Sequence, residues 1–227
     1  MKIALPHSGR GVDVLRRRKF TPRVAALSGP SFAKEVARGD PTAVTVASVD
    51  GEVTRAVQQA FNDSSFRVYT NDDVIGVELG GALKNIIAIA AGICAGLGLG
   101  HNSAAALITR GLAEMARLVV ACGGRLDTMA GLAGLGDLVL TCTGDLSRNR
   151  SVGVELGKGR KLPDIIADMH GAVAEGVFTT KAAVGLARKK NVEMPITEQM
   201  FAILENGKPP QQAIEGLMTR AARSEIY

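Results

Sequence analysis

Residues 77–101 read VELGGALKNIIAIAAGICAGLGLGH, and this stretch decides the fold of the chain. Between positions 79 and 100 it carries a single charged residue, Lys84, with apolar or small residues on every side. A helix that is apolar all round is a buried one, so we expect the centre of the protein here. Six glycines, Lys84 and Asn85 favour the core helix of a soluble protein over a membrane span of similar length.

Lys84 is the residue of this helix that most needs a chemical explanation. An ammonium group in apolar surroundings is costly unless it has partners. One interpretation is a lysine whose stem packs against the core while its ammonium reaches water. The other is a proton-transfer group that faces a cleft, a role for which buried ionisable side chains are used. The sequence of the helix leaves both interpretations open.

The composition indicates a globular protein built from closely packed helices. The 227 residues suffice for one large or two small domains, and 46% of them are hydrophobic while only 4% are aromatic. The three cysteines, Cys94, Cys122 and Cys142, stand among apolar or small residues and read as reduced thiols of a cytoplasmic protein. No spacing of histidine and cysteine predicts a metal site.

The net charge of +5 is concentrated at the N-terminus. Residues 1–23 hold seven basic side chains against Asp13 alone, and the remainder of the chain is close to neutral. A basic run can contact nucleic acid, but this one lacks interleaved aromatics and a recognition helix, so we interpret it as a solvated segment. Gly9-Arg10-Gly11 in the same segment lacks the third glycine of a dinucleotide-binding turn, and we interpret it as a chance match.

The first seventy residues predict strands that alternate with helices. The expected strands are 1–5, 24–27, 42–47 and 66–69, the expected helices are 34–38 and 51–62, and residues 7–15 read as a loop that leads into a helix. Such alternation favours a parallel sheet, although these strands are too few for a complete doubly wound one. The glycine-rich turn over 28–33 joins a strand to a helix, and its free backbone N–H groups could hold an anion; an ordinary turn is the alternative.

From residue 77 onward the pattern becomes helical. The expected helices cover 79–100, 102–122, 150–156 and, in several shorter pieces, 162–223. A glycine-dense turn over 131–136 interrupts them and delivers one carboxylate, that of Asp137. We therefore divide the chain into an α/β part over 1–76 and a helical part over 77–227.

A second candidate site lies where the third of these helices begins. Ser147 suits the N-cap of that helix. Arg148 and Asn149 would then stand at a helix N-terminus, where the dipole, the free N–H groups and the guanidinium all favour a phosphate group. The alternative is an ordinary cap followed by a surface arginine.

Five segments, in this order, resemble the bacterial type of NAD(P)-dependent glycerol-3-phosphate dehydrogenase. They are GPSFAKE at 29–35, GVELGGALKN at 76–85, GLAGLGDL at 131–138, SRN at 147–149 and AEG at 174–176. Any one of them could occur by chance, whereas five in order make a specific signal. The resemblance runs from about residue 12 to the end of the chain. It implies a mixed α/β and all-α fold, in which a partial Rossmann-type parallel sheet precedes an all-helical domain like that of 6-phosphogluconate dehydrogenase.

The resemblance also implies a reaction and a set of residue roles. Family members interconvert dihydroxyacetone phosphate and sn-glycerol 3-phosphate, a precursor of glycerophospholipids, by hydride transfer with NAD or NADP. Lys84 matches the catalytic proton-transfer residue, and Asp137 would orient its ammonium or bind a substrate hydroxyl. The other matched positions are Gly29, Ser31, Ser147, Arg148 and Asn149 for the substrate, and Ala33, Arg148, Val173 and Glu175 for the cofactor.

The chain departs from the family pattern at its N-terminus. Family members open with a strand, a G-x-G-x-x-G turn and most of a nucleotide-binding sheet, and roughly the first hundred residues of that plan are missing here. We therefore expect impaired cofactor binding. We also expect a cytoplasmic homodimer that takes a small phosphorylated three-carbon substrate and contacts neither nucleic acid nor membrane.

Two alternatives to this enzyme assignment remain from the sequence. Another reductase of the same superfamily is one, although the SRN segment and the glycine-dense turn argue against it. The other is a non-catalytic fragment that dimerises or binds a partner through its helical part, which the missing cofactor residues would favour.

Overall fold

The computed structural model describes residues 24–169, 174–222 and 224–225. The strands are β1 (Ala26–Ser28), β2 (Thr42–Ala47) and β3 (Phe66–Asn71). The helices are α1 (Ala33–Arg38), α2 (Gly51–Phe61), α3 (Val74–Gly96), α4 (His101–Ala121), α5 (Leu126–Ala130), α6 (Asp137–Thr143), α7 (Arg148–Gly157), α8 (Leu162–Asp168), α9 (Glu175–Lys190), α10 (Pro195–Asn206) and α11 (Pro210–Met218). A π-helical turn, Leu132–Gly136, joins α5 to α6 and is called the π turn below. The strand expected over 1–5, the loop and helix over 7–15 and the basic segment 1–23 lie outside the described residues.

The sheet is mixed, whereas the sequence predicted a parallel one. Its order is β1-β2-β3; β2 and β3 are parallel, but β1 runs antiparallel to β2. A parallel connection must carry the chain back along the length of the strand. Helix α1 has six residues and therefore rises only roughly 9 Å, so it cannot return the chain along β2. Helix α2, with 11 residues, is long enough to return the chain, and β3 is accordingly parallel to β2.

The two faces of the sheet pack against different helices. On one face Val44, Val46 and Val68 are fully buried beneath α2. Val57 of that helix packs against these three valines. The other face carries a second apolar cluster, which joins the sheet to α3 and the π turn. Its members are Val24, Ala26, Ala47, Val74, Val77 and Ala133. The small sheet is therefore fixed directly onto the long apolar helix.

Helix α3 forms the centre of the molecule, as its sequence predicted. Helices α4, α6, α7, α9 and α10 all contact it. By length and composition α3 could cross a membrane, but 78% of its most apolar window is buried inside the protein, as in the core helix of a soluble fold. The combination of a partial Rossmann-type sheet with an all-helical part is confirmed. Because α3 begins at Val74, the proposed boundary after residue 76 falls within its first turn, and this division stays a prediction.

All three cysteines are free thiols. Cys94 and Cys122 are half-buried, and Cys142 is buried. Burial raises the pKa of the Cys142 thiol to about 12, and the positive charges of Lys84 and Arg150 oppose this shift only in part. The Cys142 side chain is therefore a neutral core residue at physiological pH.

A buried carboxyl group on α4 supports the start of α10. Glu114 accepts hydrogen bonds from the backbone N–H groups of Ile196 (2.7 Å) and Thr197 (3.2 Å), and from the Thr197 hydroxyl. Helix α10 begins with Pro195, and its own N-cap residue makes no side-chain cap. Glu114 therefore satisfies N–H groups that the helix leaves unpaired.

Glu114 should make the protein less stable as the pH rises through the weakly acidic range. Burial outweighs the hydrogen bonds and the nearby Arg117, and it raises the pKa of Glu114 from 4.5 to about 7. At pH values between these two the folded protein keeps a proton that the unfolded chain has lost. The free energy of unfolding therefore falls as the pH rises, by up to about 3 kcal/mol. Glu114→Gln should reduce the decrease in Tm between about pH 5 and pH 7.5, measured by circular dichroism. The exposed Glu205→Gln is the control, and an unchanged pH dependence in Glu114→Gln would contradict this account.

Candidate active site

Lys84 and Asp137 form an ion pair where the helical part meets the sheet. Lys84 lies in the middle of α3 and its side chain is 17% exposed, whereas that of Asp137 is only 3% exposed. The stem of Lys84 is thus enclosed. Its ammonium pairs with the Asp137 carboxylate and does not only extend into water. The structure therefore brings together the two residues that the resemblance placed in the catalytic centre.

The glycine-dense segment places Asp137 by allowing an unusually tight turn. A Cβ atom at position 134 would lie 2.2 Å from the carbonyl oxygen of Met129, so only glycine fits there. The π turn then leads directly into α6, whose first residue is Asp137. The carboxylate consequently projects from the start of a helix toward α3.

Two further side chains contact Asp137 that the sequence did not single out. The Ser28 hydroxyl donates to Asp137 Oδ2 over 3.1 Å. The Thr141 hydroxyl lies 2.6 Å from the Asp137 backbone oxygen and 3.3 Å from its Oδ1. The position of Thr141 one turn later on α6 could have suggested this contact. No local pattern could have suggested Ser28, which lies 109 positions earlier in the chain.

Ser147, Arg148 and Asn149 occupy the start of α7, as the sequence predicted. The Ser147 hydroxyl caps the helix by accepting a hydrogen bond from the backbone N–H of Arg150. Arg148 is exposed, and within the described part of the chain its guanidinium has no hydrogen-bond or ion-pair partner. A free cation at the positive end of a helix is suited to an anionic ligand.

Asn149 has a different environment from its two neighbours. Its side-chain nitrogen donates to Asn85 Oδ1 (3.0 Å), and its oxygen accepts from the backbone N–H of Gly176 (2.9 Å). Asn149 and Asn85 are both buried. Asn149 thus ties together α3, α7 and the start of α9, and Asn85, which follows Lys84 directly, is a contact residue that sequence reasoning missed.

The remaining candidate positions lie on the loop after β1 and at the start of α9. Gly29 has a φ of 144°, and a Cβ there would lie 2.9 Å from Val44 Cα, so the turn requires glycine. The Ser31 hydroxyl donates to the Gly29 carbonyl (3.1 Å), Ala33 opens α1 and is exposed, and Glu175 opens α9 and is half-buried. Val173 lies outside the described residues.

The candidate site contains no cluster of metal ligands in the part of the chain that the structure describes. No group of three or more His, Cys, Asp or Glu side chains there could hold a metal ion. The functional groups that do converge are an ammonium, a carboxylate and a serine hydroxyl.

Two family models match the sequence. The model for the NAD-dependent glycerol-3-phosphate dehydrogenase C-terminus matches residues 73–215, which is more than half of the chain. The model for the N-terminus of the same enzyme matches residues 11–54. The chain belongs to the NAD-dependent glycerol-3-phosphate dehydrogenase family. The resemblance seen in the five sequence segments is therefore confirmed.

Curated relatives in this family are closely similar to the chain. A protein of Koribacter versatilis, named as an NAD(P)+ glycerol-3-phosphate dehydrogenase, is 70% identical over 209 residues, and one of Acidobacterium capsulatum with the same name is 64% identical over 213 residues. These alignments cover 92% and 94% of this chain but 62% and 63% of the relatives. The chain thus spans less than two thirds of the length of either relative.

Solved structures of the family share the fold. The glycerol-3-phosphate dehydrogenase of Coxiella burnetii is 50% identical, with a TM-score of 0.84 over 86% of this chain and 60% of that protein. A structure from Dunaliella salina described as DsGPDH is 25% identical, with a TM-score of 0.84 over 94% of this chain and 42% of that one. The partial sheet and the helical part of this chain therefore have the family's arrangement.

Proposed function

We propose that this chain carries the substrate-binding part and the last part of the cofactor domain of an NAD(P)-dependent glycerol-3-phosphate dehydrogenase. The reaction would interconvert dihydroxyacetone phosphate and sn-glycerol 3-phosphate. The observation that carries the proposal is the Lys84–Asp137 ion pair at the junction of sheet and helices. The names of the close relatives support the choice of reaction and of cofactor, NAD or NADP.

Lys84 would transfer the proton of this reaction. Reduction of a ketone adds a hydride to the carbonyl carbon and a proton to its oxygen. A bound nicotinamide supplies the hydride when reduced and accepts it when oxidised. The Lys84 ammonium donates the proton to the developing alkoxide, and in the oxidation direction the neutral amine takes it back. Asp137 fixes the nitrogen in place and compensates its charge.

The start of α7 would bind the phosphate group of the substrate. Arg148 supplies an exposed guanidinium that has no partner among the described residues, and the first turn of α7 supplies backbone N–H groups at the positive end of the helix dipole. The Asn149 amide is already bonded to Asn85 and to Gly176, so we assign it mainly the task of holding α7 in place beside the substrate. Gly29 and Ser31 would complete the substrate site from the sheet side.

The described residues fit only one end of a nicotinamide dinucleotide. The described positions that the resemblance assigns to the cofactor are Ala33 and Arg148, which are exposed, and Glu175, which is half-buried. No G-x-G-x-x-G sequence occurs within the described ranges, so they contain no glycine turn for the pyrophosphate. We therefore expect these residues to orient the nicotinamide end and to contribute little to overall cofactor affinity.

The setting of this activity is also part of the proposal. We expect a homodimer located in the cytoplasm, as the sequence suggested, with the α/β part over 1–76 and the helical part over 77–227 acting as separate domains. The burial of α3 within the protein supports a soluble protein. Measurement of the molecular mass in solution by light scattering tests the dimer.

Arg148→Ala should weaken binding of dihydroxyacetone phosphate far more than binding of unphosphorylated dihydroxyacetone. The loss of a charge-assisted bond costs about 1.5–3 kcal/mol, which is roughly a tenfold to hundredfold rise in Kd for the phosphate ester alone. Titration calorimetry with both ligands tests the proposed substrate class directly. Arg188→Ala, at an exposed arginine on α9, is the control and should change neither Kd. An equal loss for both ligands would show that Arg148 is an ordinary surface arginine and would count against the proposed substrate.

A further inference from the structure

Ser28 connects the sheet to the ion pair of the candidate active site. It is the last residue of β1, and its hydroxyl donates to Oδ2 of Asp137, the same oxygen that pairs with the Lys84 ammonium. One carboxylate oxygen thus receives two donors, one charged and one neutral, from two different parts of the fold.

We propose that Ser28 is a positioning residue that keeps the Asp137 carboxylate ionised and correctly oriented while Lys84 is an uncharged amine. The proposal rests on the proposed function, in which Lys84 alternates between ammonium and amine once in every turnover. Each time Lys84 gives up its proton, the buried carboxylate loses the charge that faces it. A neutral amine is a weaker donor than an ammonium, and a buried carboxylate short of strong donors is costly, so a second donor stabilises Asp137 at that stage.

The other contacts of Asp137 do not provide this donor. The Thr141 hydroxyl has one proton, and its 2.6 Å contact with the Asp137 backbone oxygen is the shorter of its two contacts. The Thr141 hydroxyl therefore donates mainly to the backbone oxygen and only weakly to the carboxylate. Among the hydrogen bonds of the described residues, the one from Ser28 is thus the shorter neutral donation to the Asp137 carboxylate, and it does not depend on the charge of Lys84.

The fold fixes the direction of the Ser28 hydroxyl. Ser28 pairs with Thr45 across the antiparallel strands, and the chain turns away at Gly29, where φ is positive. On the facing helix α3, position 81 is a glycine, and a Cβ there would lie 2.7 Å from Ser28 Oγ. The absence of a side chain at Gly81 gives the hydroxyl the space it needs to reach Asp137.

The charged and titratable groups around the pair come from three helices. Lys84 lies on α3, Asp137 and the buried Cys142 lie on α6, and Arg150 on α7 is close enough to act on the Cys142 thiol. Substitution of Ser28 leaves all four of these groups in place. A change in the proton affinity of Lys84 in a Ser28 variant would therefore report the loss of the hydroxyl.

The experiment measures the pH at which Lys84 becomes reactive as an amine. Brief labelling of the intact chain with acetic anhydride over a range of pH, followed by mass spectrometry of the Lys84 peptide, gives the midpoint without any need for turnover. Asp137 depends more on the Ser28 hydroxyl when Lys84 is an amine, so Ser28→Ala destabilises the amine form of Lys84 more than the ammonium form. The midpoint should therefore rise by on the order of one pH unit, which is a tenfold change in the amine fraction. Thr45→Val, which removes a hydroxyl from the neighbouring strand on the same face, should leave the midpoint unchanged.

A second background shows whether Ser28 acts through Asp137. In Asp137→Asn, a further Ser28→Ala change should not move the midpoint. Ser28→Cys, which keeps the size of the side chain, should give a smaller rise than alanine and serves if Ser28→Ala fails to fold. A folded Ser28→Ala or Ser28→Cys protein with the original midpoint would overturn the proposal, as would an equal shift in the Asp137→Asn background. Because labelling requires neither cofactor nor substrate, such a result would leave the proposed reaction untouched.

Discussion

Lys84→Met should lower the turnover of dihydroxyacetone phosphate by at least ~100-fold, the usual scale for the loss of a general acid. Methionine preserves most of the volume of the stem within α3, but it has no proton to donate and leaves Asp137 without its cation. Substrate binding should change much less, because the proposed phosphate contacts lie on α7. The loss should therefore appear in kcat more than in KM.

The assay follows the oxidation of NADH and NADPH by dihydroxyacetone phosphate. To prevent cofactor binding from limiting the rate, the chain is extended at its N-terminus with the corresponding segment of the 70%-identical Koribacter versatilis relative. Lys181→Met, at an exposed lysine of α9, is the matched control and should retain full turnover. Turnover of Lys84→Met within a few fold of the unaltered protein would exclude Lys84 as the proton donor.

The sequence predicted most elements because their signals are local. The β-branched run at 42–47 predicted β2 with its observed bounds, and the helix predicted over 51–62 ends one residue earlier in the structure. Helix α3 begins at Val74, before the apolar run from which it was predicted, because the Asp73 carboxylate caps it by accepting from the Gly76 N–H. The direction of β1 depends on the length of its connection to β2. The helix predicted over 34–38 was already too short for a parallel crossover, but the alternation of strands and helices alone was taken to indicate a parallel sheet.

The site was predictable in part from local sequence and in part from family motifs. The apolar surroundings of Lys84 made it a candidate, the family segments gave Lys84 and Asp137 their roles, and the structure places the two in contact. Ser28 and Asn85 were missed because their partners are 109 and 64 positions away, and no local spacing reports such a contact. The sequence could not show that the Asn149 side chain is hydrogen-bonded while that of Arg148 has no partner in the described part of the chain, since both stand at the same helix start.

The close packing of α7 on α3 should be the most sensitive structural feature of the molecule. Glycines of the two helices face each other: a Cβ at position 153 would lie 2.0 Å from the Ile89 carbonyl oxygen, and one at position 92 would lie 2.1 Å from that of Arg150. These obstacles are backbone atoms, which cannot rotate away as a side chain can. Because α7 carries the proposed phosphate site and α3 carries Lys84, this contact also sets the distance between the two.

Gly153→Ala should therefore lower the free energy of unfolding by about 3 kcal/mol, the upper end of the usual cost of overpacking. Gly185→Ala is the matched control, because this glycine also lies within a helix but has no atom within 4 Å of its would-be Cβ. The control should stabilise the protein by about 0.5–1 kcal/mol, the gain in helix propensity. Urea unfolding monitored by circular dichroism measures both changes. Equal effects of the two substitutions would mean that α7 can move away from α3 at little cost, and the fixed spacing between Lys84 and the start of α7 would then lose its structural basis.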